Sequence, residues 1–139
     1  MRPDFSWPVR IYYEDTDTGG VVFYANYLKF FERARTEWLR AAGVNQGELS
    51  ASHGVVFIVK STTVDYHSPA RLDDELKLTV VIERMGRASV HFIQEAWRIT
   101  GVSKELLATG RIKVGCVDAA GLRPCAIPDE VLTKMTING

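Results

Sequence analysis

The residues best suited to chemistry lie in one short segment between Tyr12 and Leu39, which reads YYEDTDTGGVVFYANYLKFFERARTEWL. An acidic turn, a pair of glycines and an aromatic segment with helical spacing follow one another there without a spacer. This order can place a carboxylate beside the positive end of a helix. A carboxylate held close to an oxyanion acceptor suits attack on a carbonyl carbon.

Asp17 is the best candidate among the acids of this segment, which are Glu14, Asp15, Asp17 and Glu32. It precedes Gly19 and Gly20, whose missing Cβ atoms let a ligand approach the backbone closely. Val21 to Tyr24 then leads into the helix, whose first N–H groups lack intrahelical partners and can hold an oxyanion. Acids in turns also commonly bond turn amides, so a structural role is the alternative for each of them.

The reaction that fits this arrangement best is thioester hydrolysis. A thiol has an ordinary pKa of about 8.5 and leaves as thiolate, so no dedicated general acid is needed. Amide hydrolysis would need a proton donor for the amine, and none is evident. Asp17 either attacks the carbonyl and forms an anhydride, or acts as the base on a water molecule. The sequence leaves both routes open.

The elements that must position the turn are predicted from hydrophobic spacing. Val9, Ile11 and Tyr13 alternate with polar residues, which predicts a strand that ends at Glu14. Helical spacing begins at about Tyr24, and Gly43 is a plausible stop. Further strands are predicted over residues 55–66, 75–84, 88–100 and 106–117, with short helices over 45–53 and after Pro128. Gly110 predicts a bulge or a close backbone contact.

This order predicts one α+β domain over residues 1–139, in which a curved antiparallel sheet wraps around one long central helix. Short, turn-rich links between the last four strands favour antiparallel pairing. One helix covers only one face of the sheet. The strand edges and outer positions then need another subunit, which predicts a homodimer or a larger assembly.

Composition narrows the class of protein. Lys and Arg number 17 and Asp and Glu number 17, so no general attraction to nucleic acid or anionic membrane is expected. Neither a signal peptide nor an apolar run long enough to span a membrane is evident, which favours the cytoplasm. Cys116 and Cys125 are expected to be free thiols, and His53, His67 and His91 lie too far apart for a metal site.

The segment YYEDTDTGGVVFYANYLKFFERARTEWL closely resembles the signature of hot-dog-fold thioesterases of the 4-hydroxybenzoyl-CoA thioesterase family. The nearest similarity is to its Tol-Pal-associated branch of bacterial acyl-CoA thioesterases. The resemblance continues in VDYHSPARLDDELKL and extends over about residues 8–125. It implies a β-α-β-β-β-β hot-dog subunit that dimerises with its active sites at the interface, often as a dimer of dimers.

The resemblance also implies roles for individual residues. The catalytic carboxylate of the family falls at Asp17, and the amide that polarises the thioester carbonyl falls at Tyr24. No cofactor is implied, since coenzyme A is part of the substrate. Phe23-Tyr24 departs from the Tol-Pal-associated branch, where His commonly follows an aromatic residue; the 4-hydroxybenzoyl-CoA enzymes carry Tyr there. The acyl specificity of that branch therefore does not carry over.

Coenzyme A carries phosphates, so basic or hydroxyl side chains near the site entrance are needed. Lys60, Arg71, Arg87 and Ser89 are the candidates, because each is predicted at a strand end or turn. The charged residues of the helix, such as Arg33 and Glu37, are expected to form exposed or interfacial ion pairs.

Two other functions compete with hydrolysis. One is a non-catalytic acyl-CoA-binding or scaffold protein beside a cell-envelope complex. The other is a hot-dog lyase or isomerase such as a dehydratase, which ranks low because no histidine falls in the acidic turn or the helix.

Overall fold

The computed structural model describes residues 5–138, so residues 1–4 and 139 of the predicted domain lie outside the described residues. Its elements in chain order are β1 (Ser6–Arg10), α1 (Asn26–Ala41), α2 (Gln46–His53), β2 (Val55–Tyr66), β3 (Glu75–Thr79), β4 (Val81–Met85), β5 (Ser89–Thr100), β6 (Ser103–Asp118) and α3 (Asp129–Asn138). One turn of 3₁₀ helix, Tyr13–Asp15, lies between β1 and α1.

All six strands belong to one antiparallel sheet with the order β1-β3-β5-β6-β2, and β4 also pairs with β5. β5 and β6 form the central ladder, which runs from Ser89 opposite Gly115 to Thr100 opposite Ser103. Among the described strands, β2 pairs with β6 alone, so its other edge has no neighbour. The predicted order of strand, long helix and antiparallel strands is confirmed.

The single strand predicted over residues 75–84 is wrong, because β3 and β4 are separate strands that follow one another along the same edge of β5. Thr79 explains the break. Its side-chain Oγ1 accepts the hydrogen bond from Glu95 N–H at 3.0 Å, where a regular ladder would use a backbone carbonyl. Within residues 5–138 the sheet therefore has six strands rather than the five predicted.

Two predicted boundaries next to the acidic turn also need correction. β1 ends at Arg10 rather than Glu14, and Tyr13 is exposed in the 3₁₀ turn instead of alternating in a strand. The chain turns there because the Asp15 carboxylate accepts a hydrogen bond from Tyr12 N–H at 2.9 Å. α1 begins at Asn26, two residues later than predicted, after a turn that includes Tyr24.

The inner face of α1 packs on the sheet and forms the core. Its large buried apolar side chains are Tyr27, Phe30, Phe31, Trp38 and Leu39. Burying five such side chains contributes a gross free energy of about 10 kcal/mol. Gly110 makes this contact possible, since a Cβ there would lie 2.9 Å from Phe31 Cε2. The close contact predicted at Gly110 is confirmed, and α1 ends as expected before Gly43, whose φ is +91°.

The helix charges do not all form the predicted ion pairs. Glu37 pairs with Arg40 rather than with Arg33. Arg35 is only 9% exposed and donates a hydrogen bond to Gln94 Oε1 on β5 at 2.9 Å. Gln94 in turn donates to Phe31 O at 3.0 Å. Burial lowers the pKa of Arg35 below its usual range, but an arginine remains charged at neutral pH.

Candidate active site

The acidic turn folds into a tight loop that is closed at its base by bridge pairing of Thr16 with Val22. Asp17 N–H donates to Val21 O at 2.9 Å, and Gly20 N–H donates back to Asp17 O at 3.0 Å. Gly20 has φ of +78°, a conformation that a side chain would strain. The glycine is thus required by the turn itself, and Asp17 is held at a fixed position in the loop.

The Asp17 side chain is exposed, and the loop orients it. Its Oδ1 accepts a hydrogen bond from Gly19 N–H at 2.8 Å. A Cβ at position 19 would lie 3.2 Å from that same oxygen, so Gly19 leaves room for the carboxylate. Within residues 5–138, Oδ2 receives no hydrogen bond. This second oxygen can therefore face a substrate or a water molecule.

Asp15 joins the loop to the start of α1. Its Oδ1 accepts a hydrogen bond from Asn26 Nδ2 at 2.9 Å, and its Oδ2 accepts from Tyr12 N–H at 2.9 Å. Its backbone carbonyl accepts from Phe23 N–H at 3.0 Å. These three bonds fix Asp15 between the segments that carry Asp17 and Tyr24. Asp15 therefore has the structural role that was the alternative for each acid of this segment.

The backbone amides before α1 are available to a ligand. Phe23 N–H is bonded to Asp15 O, and Asn26 N–H donates to Phe23 O at 2.8 Å. Between them, Tyr24 and Ala25 have N–H groups that no described residue accepts. The 16-residue helix α1 adds the positive end of its dipole at this point. Two adjacent free amides at a helix start form a suitable acceptor for an oxyanion.

A cavity of about 280 Å³ opens beside Tyr24. Its lining residues are Val22, Tyr24, Tyr27, Tyr66, His67, Ser68 and Pro69. Tyr66 Oη donates to Tyr24 O at 2.9 Å, and its ring packs edge-on against the rings of Tyr24 and Tyr27. Burial raises the pKa of Tyr27, whose hydroxyl accepts from Ala70 N–H at 3.3 Å. The end of β2 thus forms a wall of the cavity beside Tyr24.

The sequence model of a protein family, the thioesterase-like superfamily, matches residues 12–135. This range includes the acidic loop, α1 and all of β2–β6. The chain belongs to this superfamily.

Relatives of this thioesterase-like chain agree with the match. It is 45% identical over 130 residues to an Escherichia coli protein named acyl-CoA thioester hydrolase YbgC, covering 94% of each chain. It is 44% identical to an acyl-CoA thioesterase YbgC of Haemophilus influenzae, covering 91% of this chain and 90% of the relative. The family resemblance inferred from the acidic turn is confirmed.

Solved structures show the same fold. A mutant 4-hydroxybenzoyl-CoA thioesterase complexed with 4-hydroxybenzoyl CoA superposes with a TM-score of 0.89 at 20% identity, covering 95% of this chain and 98% of that one. A probable thioesterase of Bartonella henselae superposes with a TM-score of 0.78 at 30% identity, covering 91% and 100%. The predicted α+β hot-dog fold is confirmed.

Of the basic residues considered for phosphate binding, Arg71 lies beside the acidic loop of the thioesterase-like chain. It pairs with Val21 in an isolated bridge, and its backbone N–H donates to Asp74 Oδ2 at 2.9 Å. Its side chain is exposed. Arg71 is therefore close enough to the loop to meet a substrate there.

Lys60, Arg87 and Ser89 lie elsewhere. Lys60 occupies a bulge inside β2, not a strand end or turn, so that placement was wrong. Its side chain covers Gly115, which pairs with Ser89. Tyr66, beside the candidate site, pairs instead with Ala108, about 23 Å from Gly115 along β6. Within one chain these residues could contact only the far end of an extended substrate.

Neither Tyr66 nor His67 was predicted as a site residue. The latter lines the cavity, and its Nε2 lies 3.1 Å from Thr109 Oγ1. The sequence does show an aromatic residue, Tyr66, at the end of a predicted strand just before Ser68-Pro69. Its position beside Tyr24, however, depends on the pairing of β2 with β6, which the sequence does not show.

Glu32 lies on α1 beside a second cavity of about 160 Å³, and its carboxylate accepts from Thr36 Oγ1 at 2.8 Å. Arg35 contributes to the same lining, whose apolar part includes Phe57, Phe92 and Met135.

Among residues 5–138, no group of three or more His, Cys, Asp or Glu side chains is placed to hold a metal ion. No helix in this part of the chain has both the length and the apolar character needed to cross a membrane.

Proposed function

We propose that this protein is an acyl-CoA thioesterase, which hydrolyses a coenzyme A thioester to a free carboxylic acid and coenzyme A. The observation that carries the proposal is an exposed carboxylate, Asp17, in the loop that leads to two free amides at the start of α1. Family membership and relatives named acyl-CoA thioesterases support the same reaction.

In this proposal the Tyr24 N–H binds the thioester carbonyl oxygen and stabilises the negative charge that develops on it. The helix dipole adds to this stabilisation, and the Ala25 N–H is placed to assist. Tyr66 supports the site from behind, because its hydroxyl bonds the carbonyl of Tyr24 and so fixes that peptide. The free acceptor is thus formed before substrate arrives.

Asp17 supplies the negative charge that starts the reaction. Gly19 N–H holds Oδ1, which leaves Oδ2 to attack the carbonyl or to take a proton from water. A thiolate can leave without a general acid, so the reaction requires no proton donor in the acidic loop. Both routes need an ionised Asp17.

In this proposal the substrate contacts use the same geometry. Gly19, Gly20 and Val21 allow the thioester to approach the loop, and the cavity beside Tyr24 accepts the acyl group. Arg71 is placed for a phosphate group of coenzyme A. Lys60, Arg87 and Ser89 retain their predicted role only if they contact the far end of the substrate or a substrate bound by another copy.

We further propose that residues 1–139 act as one domain, that the protein works in the cytoplasm, and that it forms a homodimer or a dimer of dimers. The free edge of β2 supports pairing with a second copy, since it carries a half-exposed Val59 and an unpaired row of backbone groups. Light scattering after size exclusion measures the number of subunits directly.

The test follows thiol release from short-chain, long-chain and benzoyl-type CoA esters by wild type, Asp17→Asn and Glu14→Gln. Glu14 is the matched control, because it is an exposed acid in the same segment. We expect Asp17→Asn to lower kcat by about 100-fold or more and Glu14→Gln to retain activity. Circular dichroism verifies that each variant is folded.

A folded Asp17→Asn variant with wild-type kcat would refute the assigned role. If the wild type binds CoA esters without releasing thiol, the protein is a binding module, the alternative considered from sequence.

A further inference from the structure

The chain has two cysteines, and the fold brings them together at the other end of the β2–β6 ladder from Tyr66. Cys116 lies near the end of β6, and Cys125 lies in the loop that leads to α3. Their Sγ atoms are 3.8 Å apart, and both are free thiols. This pair takes no part in the proposed hydrolysis.

Backbone hydrogen bonds hold the two residues side by side. Cys125 N–H donates to Cys116 O at 3.0 Å, and Asp118 N–H donates to Arg123 O at 2.9 Å. The segment after the turn therefore runs antiparallel to β6. Opposite residues in such pairing have Cα atoms about 4.5–5.5 Å apart, within the range that a disulfide spans. Side-chain rotation alone can bring the two sulfurs to bonding distance.

The two thiols differ in access to solvent. Cys116 is fully buried, and burial raises its pKa to about 12. Cys125 is partly exposed. A reagent from solution therefore meets Cys125 first, and Cys116 is reached only through its neighbour.

We propose that Cys116 and Cys125 form a reversible dithiol–disulfide site that reacts with low-molecular-weight disulfides. The Cys125 thiolate attacks one sulfur of the small disulfide, giving a mixed disulfide and releasing one thiol. Cys116 then loses its proton to the departing thiolate and attacks the Cys125 sulfur, which closes the internal disulfide and releases the second thiol. The protein dithiol loses two electrons and two protons, and the small disulfide becomes two thiols.

The internal disulfide would fasten the C-terminal helix to the sheet. Ile127 N–H already donates to Arg87 O at 2.9 Å, and Val131 and Met135 of α3 are buried. Met135 also lines the 160 Å³ cavity beneath α1. A disulfide at Cys125 would leave only the residues between Cys125 and α3 unattached, instead of the whole segment after β6. Oxidation would therefore stabilise the packing of α3 over the cavity.

The test exposes the reduced full-length protein to oxidised glutathione under native conditions and follows it by intact mass and thiol alkylation. We expect the wild type to lose both thiols, to weigh two hydrogens less and to carry no glutathione. Cys116→Ala should retain one glutathione at Cys125, and Cys125→Ser should react much more slowly. The melting temperature of the oxidised wild type should exceed that of the reduced form by about 5 °C.

Three results would overturn the proposal. The wild type could accumulate a glutathione adduct that never closes. Cys125→Ser could react as fast as wild type, which would mean that access does not run through Cys125. Oxidation could also require urea, which would show that the folded arrangement does not support the bond. An unchanged or lower melting temperature after closure would refute the stabilisation of α3.

Discussion

Breaking the link between Asp15 and Asn26 should loosen the candidate site without removing any group that contacts substrate. Asp15→Ala deletes two hydrogen bonds, one from Asn26 Nδ2 and one from Tyr12 N–H, each 2.9 Å long. A hydrogen bond to a charged group contributes about 1.5–3 kcal/mol, and solvent weakens it at this half-buried position. We therefore expect Asp15→Ala to lower the free energy of unfolding by about 2–4 kcal/mol.

A double-mutant cycle isolates the bond between the two side chains. Asn26→Ala removes only one hydrogen bond, so it should cost less, about 1 kcal/mol. If the bond exists in solution, the double variant should be less destabilised than the sum of the single variants by up to about 1 kcal/mol. Urea unfolding at a fixed protein concentration measures all four free energies.

The same variants separate positioning from catalysis. Asp15 holds the segments that carry Asp17 and Tyr24, so its loss should lower kcat while the KM for a CoA ester changes little. Asp15→Asn keeps one acceptor oxygen and should recover part of the lost kcat. Glu14→Ala, one residue earlier, is the control and should leave both constants near wild type. Additive unfolding energies, or a wild-type kcat in folded Asp15→Ala, would refute this reasoning.

Two further predictions concern stability. Gly110→Ala should lower the free energy of unfolding by about 1–3 kcal/mol, because its Cβ would overlap a rigid aromatic ring of α1. Gly115→Ala on the same strand should cost less, since its Cβ meets only the flexible chain of Lys60; equal losses in urea unfolding would contradict the packing described. The hydrogen bond from Arg98 lowers the pKa of Glu105 in the folded protein. The stability that this bond contributes is therefore fully present above the ordinary carboxyl pKa, and it is lost as the pH falls through the lowered pKa of Glu105. Glu105→Gln should accordingly lower the melting temperature at neutral pH and not in acid, and a loss independent of pH would exclude this pair as its cause.

Local chemistry explains which parts of the fold could be predicted. The acidic loop is built from bonds between residues close in sequence, such as Gly19 N–H to Asp17, and glycine at position 20 is required by its backbone conformation. The inner face of α1 follows from helical spacing, and Gly43 ends the helix as expected. These features depend on neighbours within one or two turns of chain, so the sequence contains their cause.

The features that were missed depend on partners distant in sequence. β3 and β4 are separate because Glu95 N–H bonds the side chain of Thr79, 16 residues away. Helical spacing predicts an exposed Arg35, but its side chain is buried against Gln94, which lies 59 residues later in the sequence. Tyr66 reaches Tyr24 across 42 residues. Helical or strand spacing carries no information about such pairings.

The hydrogen bonds around the acidic loop divide the site into two parts with different freedom to change. The loop and its link to α1 are held by bonds among residues 12–26, whereas the opposite wall of the cavity comes from residues 66–69. Substitutions at residues 67–69 of that wall can alter the shape offered to an acyl group while the bonds that orient Asp17 stay intact, whereas Tyr66 is needed to hold the Tyr24 peptide. Selection, or a protein engineer, can therefore change substrate preference along one short segment without rebuilding the reactive centre.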